Sequence, residues 1–418
     1  MFSYNIKNTL MGALAYLKAF FYWLTLGIVV GIPCGLCGAL FAHAITFVTG
    51  VRTENSFLLF LLPIGGIISV ALYKLCRVEG YGTNQVFECA RSEKPVPLAL
   101  MPAIFIGSSL THLLGGSAGK EGAALQLGGS ISSLISKIFK LDENSRHILT
   151  LCGMGALFSA VFGTPIGACV FALEVVRVGN FCSAAFFPTM VSSVTAFGIS
   201  SLLAVEPERF HLSFIPEFAP TPLLSVLLIA IVGALVSVIF CELLHIGEKT
   251  FRRLFKNPFV RVVAGALIII ALTLILGTRD YNGSGVSVIH GLFTGESVKY
   301  EAFILKMIFT AITVGCGFKG GEIVPTLFIG ATMGATVSAL LSFDGAFGAA
   351  VGMAALFAGV TNTPVATIFI CAEMFGGEGI IFFAMASVTS FLLSGMTGLY
   401  SSQKFTYSKL KEDLISEE

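Results

Sequence analysis

Apolar residues form long runs along this chain, and polar residues are confined to short stretches between them. Runs can be read at about 17–49, 56–75, 97–115, 122–139, 147–176, 182–204, 221–245, 259–277, 301–317, 323–342, 345–376 and 379–398. Several are shorter than the ~20 helical residues that cross a bilayer, or are broken by Gly and Pro. Because broken backbone is tolerated at membrane depth only inside protein or beside a watery cavity, the pattern predicts discontinuous helices around a transport pathway.

The composition is that of a membrane protein. Of the 418 residues, 55% are hydrophobic and only 12% are charged, which argues against an ordinary soluble globule. The formal net charge of +1, without clustered Lys and Arg, argues against a nucleic-acid partner. The ten cysteines lie mostly in apolar runs without a metal-ligand pattern, and are interpreted as small packing residues. We expect an all-α polytopic membrane protein that needs no cofactor.

Basic residues between the apolar runs indicate the cytoplasmic loops. They occur at positions 74 and 77, 91 and 94, 249–256 and, near the C-terminus, 404–411. All these loops, together with the C-terminus, are therefore expected on the cytoplasmic side. The expected location is the plasma membrane, as in a multi-pass protein of a bacterial inner membrane.

The two halves of the chain share a repeated segment. "GMGALFSAVFGTPIGACVFALE" (153–174) matches "GMAALFAGVTNTPVATIFICAE" (352–373) at a constant offset of 199 residues. Nine positions are identical, where chance in so biased a composition gives about two. Repeats with interrupted helices are typical of transporters whose substrate binds at the repeat interface. The sequence therefore predicts a duplicated fold.

Three helices are predicted to start beside glycines, after "EGYG" (79–82), "AGKEG" (118–122) and "GFKGGE" (317–322). The free N–H groups at a helix start, together with a macrodipole of about half a positive charge, attract anions. Glycine allows backbone amides to approach an ion closely. The alternative for any one motif is helix packing through small residues.

Glu121 lies within an otherwise apolar run, where a carboxylate is costly and is treated as functional by default. The alternative role is an N-terminal cap, which the helix dipole also favours. Both roles are compatible with one hypothesis: the carboxylate occupies the positive field of helix N-termini in place of an anion. A proton would then free the site, and anion entry would compete with deprotonation.

At these residues the sequence resembles the CLC family of chloride channels and anion/proton antiporters. "GKEGAALQLG" is similar to the family's GREGP segment, "GFKGGEIVPTLFIG" to its GKxxxP segment, and "GLYSS" (398–402) to the region of its anion-contacting tyrosine. The resemblance implies a CLC-like inverted repeat of tilted and broken transmembrane helices, and a homodimer. It implies that Glu121 is the external gating glutamate and proton carrier, and that the Tyr400 hydroxyl faces the anion.

The resemblance also implies a domain organisation. Residues 1–418 are expected to form a single transmembrane domain, with a first repeat at about 17–204 and a second at about 221–400. A short cytoplasmic tail, 401–418, is expected to follow. The nucleotide-binding CBS module of many relatives is expected to be absent.

Two departures from the family pattern bear on the substrate. The GSGIP segment reads "GYGTNQ" here, so Tyr81 stands where the family has its chloride-contacting serine. The inward glutamate of chloride/proton exchangers is replaced by Val175. Both losses are similar to the fluoride/proton antiporter branch, although tyrosine is not that branch's usual residue. A small, strongly hydrated anion such as fluoride needs strong hydrogen-bond donors, which Lys120, Thr83 and Asn84 could supply.

Sixteen residues are expected to form the site. Glu121 and Glu322 are assigned to gating and proton transfer, and Glu322 has helix capping as its alternative role. The anion-binding residues are expected to be Gly80, Tyr81, Gly82, Thr83, Asn84, Gly119, Lys120, Gly122, Gly320, Gly321, Ile323, Val324, Phe328 and Tyr400. Core packing is the alternative for Phe328. Glu174 and Glu373 are expected to cap or pair at helix ends, and the six histidines are given no role.

The leading functional hypothesis is a fluoride/proton antiporter that exports fluoride. Its alternatives are a chloride/proton antiporter and a passive chloride or fluoride channel of the same fold. A membrane-embedded enzyme is a third possibility, because two carboxylates could act as acid and base. Since no nucleophile, metal cluster or HExxH-type pair accompanies them, we expect a secondary-active transporter rather than an enzyme.

Overall fold

The structure, a computed structural model, describes residues 6–92, 94–411 and 415, with side chains from residue 13 onward. It is 73% helical. A short 3-10 helix, Ser56–Leu61, precedes α2. The α-helices of the first half are α1 (Ile6–Glu54), α2 (Leu62–Leu75), α3 (Thr83–Cys89), α4 (Leu100–Leu114), α5 (Glu121–Ile138), α6 (Glu143–Phe162), α7 (Pro165–Glu174) and α8 (Ser183–Leu202).

The second half begins with a long helix and contains several short ones. Its helices are α9 (Pro220–Leu254), α10 (Pro258–Leu276), α11 (Val286–Phe293), α12 (Ala302–Cys316), α13 (Ile323–Leu340), α14 (Gly345–Thr361), α15 (Pro364–Phe375) and α16 (Ile380–Leu393). Within the described part of the chain, seven helical segments are long and apolar enough to cross a membrane, and six shorter apolar helices accompany them. The predicted bundle of full-length and short membrane helices is confirmed.

Two of the apolar runs are divided between two helices, as the predicted discontinuous helices require. The apolar runs 147–176 and 345–376 are each two helices rather than one. The first break follows Gly163, at φ 82, and the second follows Asn362, at φ 58. In both, a Thr-Pro pair starts the next helix, because proline suits the first helical turn but cannot continue a preceding one. The repeated "TP" therefore marks equivalent chain reversals.

Helix capping repeats between the two halves. The Asp142 carboxylate accepts the Ser145 amide at the start of α6, and Asp344 accepts the Phe347 amide at the start of α14. The two glutamates that end the repeated segment cap each other's helices. Glu373 accepts two amides at the start of α7, with N–O distances of 3.0 and 2.8 Å, and Glu174 accepts two at the start of α15, at 3.2 and 2.8 Å. The predicted helix-end role of Glu174 and Glu373 is confirmed.

The core of each half is a helix pair packed backbone to backbone. In the first half α5 and α6 meet at Gly128 and Gly153, where a Cβ on either glycine would meet the other's carbonyl oxygen. In the second half α13 and α14 meet in the same way at Gly330 and Gly352. Close approach through small residues is the usual way to pack helices in lipid, where apolar burial supplies little drive.

A two-residue parallel ladder departs from the all-α prediction. Strand β1 (Arg177–Val178) pairs with β2 (Lys404–Phe405) in the C-terminal tail. The Gln403 side chain donates to the carbonyls of Val175 and Thr361. The segment immediately after Tyr400 is therefore fastened to the ends of α7 and α14. The bounds of the two repeats stay a prediction.

We expect Gly153→Ala to destabilise the protein by about 1–3 kcal/mol, because the added methyl group overpacks the contact with Gly128. The matched control is Gly198→Ala on α8, where an added Cβ meets nothing within 4 Å. Thermal unfolding of both variants in detergent would check this. Equal melting temperatures for Gly153→Ala and the wild type would contradict it.

Candidate functional site

A cavity of about 530 Å³ is lined in part by the basic residues Arg252, in the last turn of α9, and Lys256, between α9 and α10. Arg252 lies at its rim, with 62% of its side chain exposed. Eight of the sequence-predicted site residues line this cavity: Gly80, Tyr81, Gly82, Thr83, Asn84, Gly320, Glu322 and Tyr400. They come from the start of α3, the start of α13 and the chain after α16, so the fold brings together three segments distant in sequence.

Beyond the cavity, the N-termini of α5 and α13 meet through their backbones. Gly119 and Gly321 form an antiparallel bridge in which each amide donates to the other's carbonyl, at 2.6 and 2.7 Å. A Cβ on Gly122 would lie 2.8 Å from the Cα of Gly321. The bridge corrects one expectation, because the amides of Gly119 and Gly321 are used in this pairing. The N–H groups left for an anion are those of the first helical turns, at Gly122, Ile323 and Val324.

Glu121 is the first residue of α5 and is fully buried. Neither of its carboxylate oxygens has a protein hydrogen-bond partner among the described residues. The capping alternative is therefore wrong for this conformation. Its Oε2 lies against Gly119, 2.6 Å from where a Cβ would be. A charged carboxylate buried without partners carries a large cost in free energy, and a bound proton would remove that cost.

Lys120 has a different partner from the expected anion. Its Nζ donates to Glu208 Oε1 at 3.0 Å, and the two side chains are 14% and 15% exposed, respectively. Its charge is thus matched by a carboxylate beside Glu121. Glu208 was not singled out in the sequence, because it lies in the polar linker between the two halves, far from any motif.

Tyr400 occupies the position expected from its motif. Its ring packs edge-on against Phe87, with centroids 4.8 Å apart, and is 4% exposed. Its hydroxyl is buried, lines the cavity region, and has no protein hydrogen-bond partner in the described chain. A buried hydroxyl without a partner is free to donate to an anion in the cavity.

Thr83 and Asn84 are tied into the protein rather than left free. The Gln126 amide donates to Thr83 Oγ1 and to the carbonyl of Gly122, both at 3.3 Å, which joins the start of α3 to α5. Asn84 Oδ1 accepts both the amide and the hydroxyl of Ser402. Gln126 also lines the cavity and was missed in the sequence, although it is a polar residue in the buried half of α5.

Glu322 precedes α13 and lines the cavity. Its side chain makes no capping hydrogen bond, so the capping alternative is wrong for this residue as well. It is partly exposed, whereas Glu121 is fully buried. Two carboxylates therefore flank the Gly119–Gly321 bridge, one open to the cavity and one enclosed.

Phe328 is fully buried but does not line the cavity. Its ring lies edge-on to Tyr281, and the Lys306 ammonium lies 5.1 Å from its centroid. The structure favours the packing alternative over the expected anion contact. Lys306, which the sequence did not single out, is fully buried and donates to the carbonyls of Tyr281 and Gly283, at 3.2 and 2.7 Å.

These features define a class of membrane protein: a polytopic helical protein in which a polar vestibule leads to paired helix N-termini and a protonatable side chain. Comparison with known proteins identifies the family. Residues 65–395 match the family described as voltage gated chloride channel, and the chain belongs to this CLC family. It is an anion transporter of that family.

Several relatives agree with this assignment. The chain is 32% identical over 406 residues to a "Chloride/fluoride channel protein" of Pseudomonas syringae pv. tomato, covering 94% of this chain and 89% of that one. It is 28% identical over 388 residues to the "H(+)/Cl(-) exchange transporter ClcA" of Vibrio vulnificus, covering 84% and 81%. The crystal structure of a CLC-type fluoride/proton antiporter superposes with a TM-score of 0.89, at 32% identity, over 92% of this chain and 98% of that one.

We expect Gly321→Ala to lower anion flux about tenfold or more, because an added Cβ would meet the Gly122 amide and separate the two helix starts. The matched control is Gly345→Ala, where a Cβ meets nothing within 4 Å. Anion efflux from proteoliposomes is the measurement. Full flux in Gly321→Ala would show that the close approach is not needed.

Proposed function

We propose that this protein is a fluoride/proton antiporter that exports fluoride across the plasma membrane in exchange for protons. The observation that carries the proposal is Glu121, a buried carboxylate without a hydrogen-bond partner at a helix N-terminus, beside a second helix N-terminus. An anion and the charged carboxylate compete for the same positive field. A proton on Glu121 removes that competition, so anion movement and proton movement become linked.

Each end of the path has a role in this exchange. The anion enters from the vestibule past Tyr400 and binds the free amides at the starts of α5 and α13. Glu121, displaced by the anion, takes up a proton from the opposite side. Glu322, on the vestibule side of the bridge, receives that proton, because Val175 leaves the family's inward proton position without a titratable group. No cofactor takes part.

Fluoride is favoured over chloride by the donors around the path. The bulky Tyr81 stands where a serine would contact chloride. The donors left free are the Tyr400 hydroxyl and the helix-start amides at Gly122, Ile323 and Val324. A small anion that gives up a tightly held hydration shell needs close, polar replacements for it. The relatives described above include a chloride/fluoride channel protein and a fluoride/proton antiporter. A chloride/proton antiporter is the alternative.

The working unit is proposed to be a homodimer. Helices α7, α8, α15 and α16 carry exposed large apolar side chains, among them Ile166 at 41%, Val365 at 48% and Ile381 at 54% exposure. Helix α7 packs against α8 and α15, and α15 packs against α16. Ile166 and Val365 belong to the helices joined by the reciprocal Glu174 and Glu373 caps. A second copy packed on this surface would bury it.

Replacing Glu121 with Gln is expected to abolish proton movement while fluoride continues to flow down its gradient, because an amide cannot carry a proton. The assay is fluoride efflux from proteoliposomes with simultaneous electrode readings of fluoride and pH. Glu54→Gln, at the exposed end of α1, is the control and should behave as the wild type. Wild-type fluoride flux without proton movement would favour the passive-channel alternative.

Substrate choice is tested in the same vesicles loaded with either halide. We expect the wild type to move fluoride at least about tenfold faster than chloride, a difference of about 1.4 kcal/mol in barrier height. Equal rates for the two anions would contradict the fluoride assignment and leave the chloride/proton alternative.

The variant Glu322→Gln is expected to lower the ratio of protons to fluoride about tenfold, since proton transfer by a positioned group typically contributes that much or more. Anion binding should change little. A Glu322→Gln protein that keeps the full wild-type ratio would exclude the role of Glu322 in proton transfer.

A further inference from the structure

One wall of the vestibule is formed by a single face of α9. Leu244 and its neighbour His245, together with Glu248 and Arg252, line the cavity. Glu248 follows these two by four and three residues, and Arg252 follows Glu248 by four, so all four lie on one side of the helix. Exposure falls along this face toward the interior: the Arg252 side chain is 62% exposed, that of Glu248 is 50% exposed, and His245 is partly buried. The face therefore runs from bulk water toward Glu322, which lines the same cavity.

His245 has an unused ring nitrogen. Its Nε2 is buried and has no protein hydrogen-bond partner among the described residues. The ring nitrogens of His43 and His147, by contrast, contact backbone carbonyls at 2.8 and 3.0 Å. A histidine ring binds a proton at one nitrogen and releases one from the other near neutral pH. His245 thus lines the cavity between Glu248 and the interior, and its Nε2 has no hydrogen-bond partner among the described residues.

The backbone around His245 is held by close helix packing. A Cβ on Gly315 of α12 would lie 2.9 Å from the carbonyl carbon of Gly247, and one on Gly247 would lie 3.1 Å from the carbonyl oxygen of Ala311. These contacts fix the turn of α9 that carries His245 and Glu248. Side chains on a fixed turn keep their positions relative to Glu322, as proton transfer requires.

Most of the charged groups that line this cavity are paired with another lining residue or with a backbone carbonyl. Those around His245 are Glu79, Glu248, Arg252, Lys256, Arg261 and Lys319, together with the hydroxyls of Tyr73, Tyr81 and Tyr400. Glu248 Oε1 accepts from Arg252 at 2.7 Å, Lys319 lies over the Tyr73 ring at 4.1 Å, and Arg261 donates to the Cys316 carbonyl.

We propose that His245 is the proton relay between Glu322 and the cytoplasmic vestibule, with Glu248 as the outer acceptor. This rests on the proposed antiport. In the direction of fluoride export, the Glu322 carboxyl gives its proton to the vacant Nε2 of His245. The proton on the other ring nitrogen then leaves to Glu248, which passes it to vestibule water, and the neutral ring is restored in the other tautomer. One proton enters and one leaves, with no change in oxidation state.

The test is proton-coupled fluoride efflux by His245→Ala in proteoliposomes, with His43→Ala as the control histidine outside the cavity. We expect the proton-to-fluoride ratio to fall about tenfold in His245→Ala, while fluoride efflux is kept. Millimolar imidazole, small enough for the 530 Å³ cavity, is expected to restore the ratio. Rescue by a free ring distinguishes proton transfer from a merely structural role.

Two results would overturn the relay: an unchanged ratio in His245→Ala, or a lowered ratio that imidazole does not restore. If His245→Ala cannot be reconstituted, Glu248→Gln at the half-exposed outer position takes its place. Its ratio should fall severalfold with fluoride efflux kept, and an unchanged ratio there also overturns the proposal. Absence of proton movement in the wild type would instead contradict the antiport itself, so the two failures are distinguishable.

Discussion

The backbone pairing of Gly119 with Gly321 is the constraint on which the rest of the site depends. Two helix N-termini repel each other through their dipoles, and they can be held in contact only if their unpaired amides find acceptors. The reciprocal hydrogen bonds satisfy one amide on each side and leave the next turns unpaired. Any side chain at Gly122 or Gly321 would force the two backbones apart. The positive field that attracts an anion therefore results from glycine at a few positions.

This field also explains the two carboxylates. A negative side chain is stabilised near helix N-termini, yet Glu121 is enclosed without a hydrogen-bond partner, while Glu322 is open to the vestibule. The bridge thus separates a buried carboxylate from one that lines the cavity. In the proposed cycle an anion neutralises the positive field of the helix N-termini, and a proton neutralises the Glu121 carboxylate that the anion displaces. The proposed proton transfer across the bridge needs acceptors on the vestibule side, where Glu322 and His245 are partly exposed and Glu248 is half exposed.

Much of this arrangement could be predicted from the sequence. Local sequence signals predicted the helix starts and the duplicated fold. These signals are the glycines before α5 and α13, the repeated "TP" and the glutamates that end the repeat. The partners of Lys120, Thr83 and Asn84 could not be predicted, because Glu208, Gln126 and Ser402 are polar residues without a motif. The bridge itself is a contact between residues 119 and 321, and no local pattern specifies which amides it uses. Phe328 was placed among the anion-site residues because its motif neighbours line the path, with core packing as the alternative. Its ring lies beside Lys306 and Tyr281, which favours packing.

The central claim is that an anion and the charged Glu121 compete for one site. It is tested most directly by calorimetric titration of the purified protein with fluoride in buffers of different ionisation enthalpy, which gives the number of protons taken up per anion bound. Competition predicts that fluoride binding is accompanied by proton uptake, approaching one proton at pH values where the free site holds a charged Glu121. The uptake should be absent in Glu121→Gln. Fluoride binding without proton uptake in the wild type across the neutral pH range, or equal uptake in both proteins, would contradict the account.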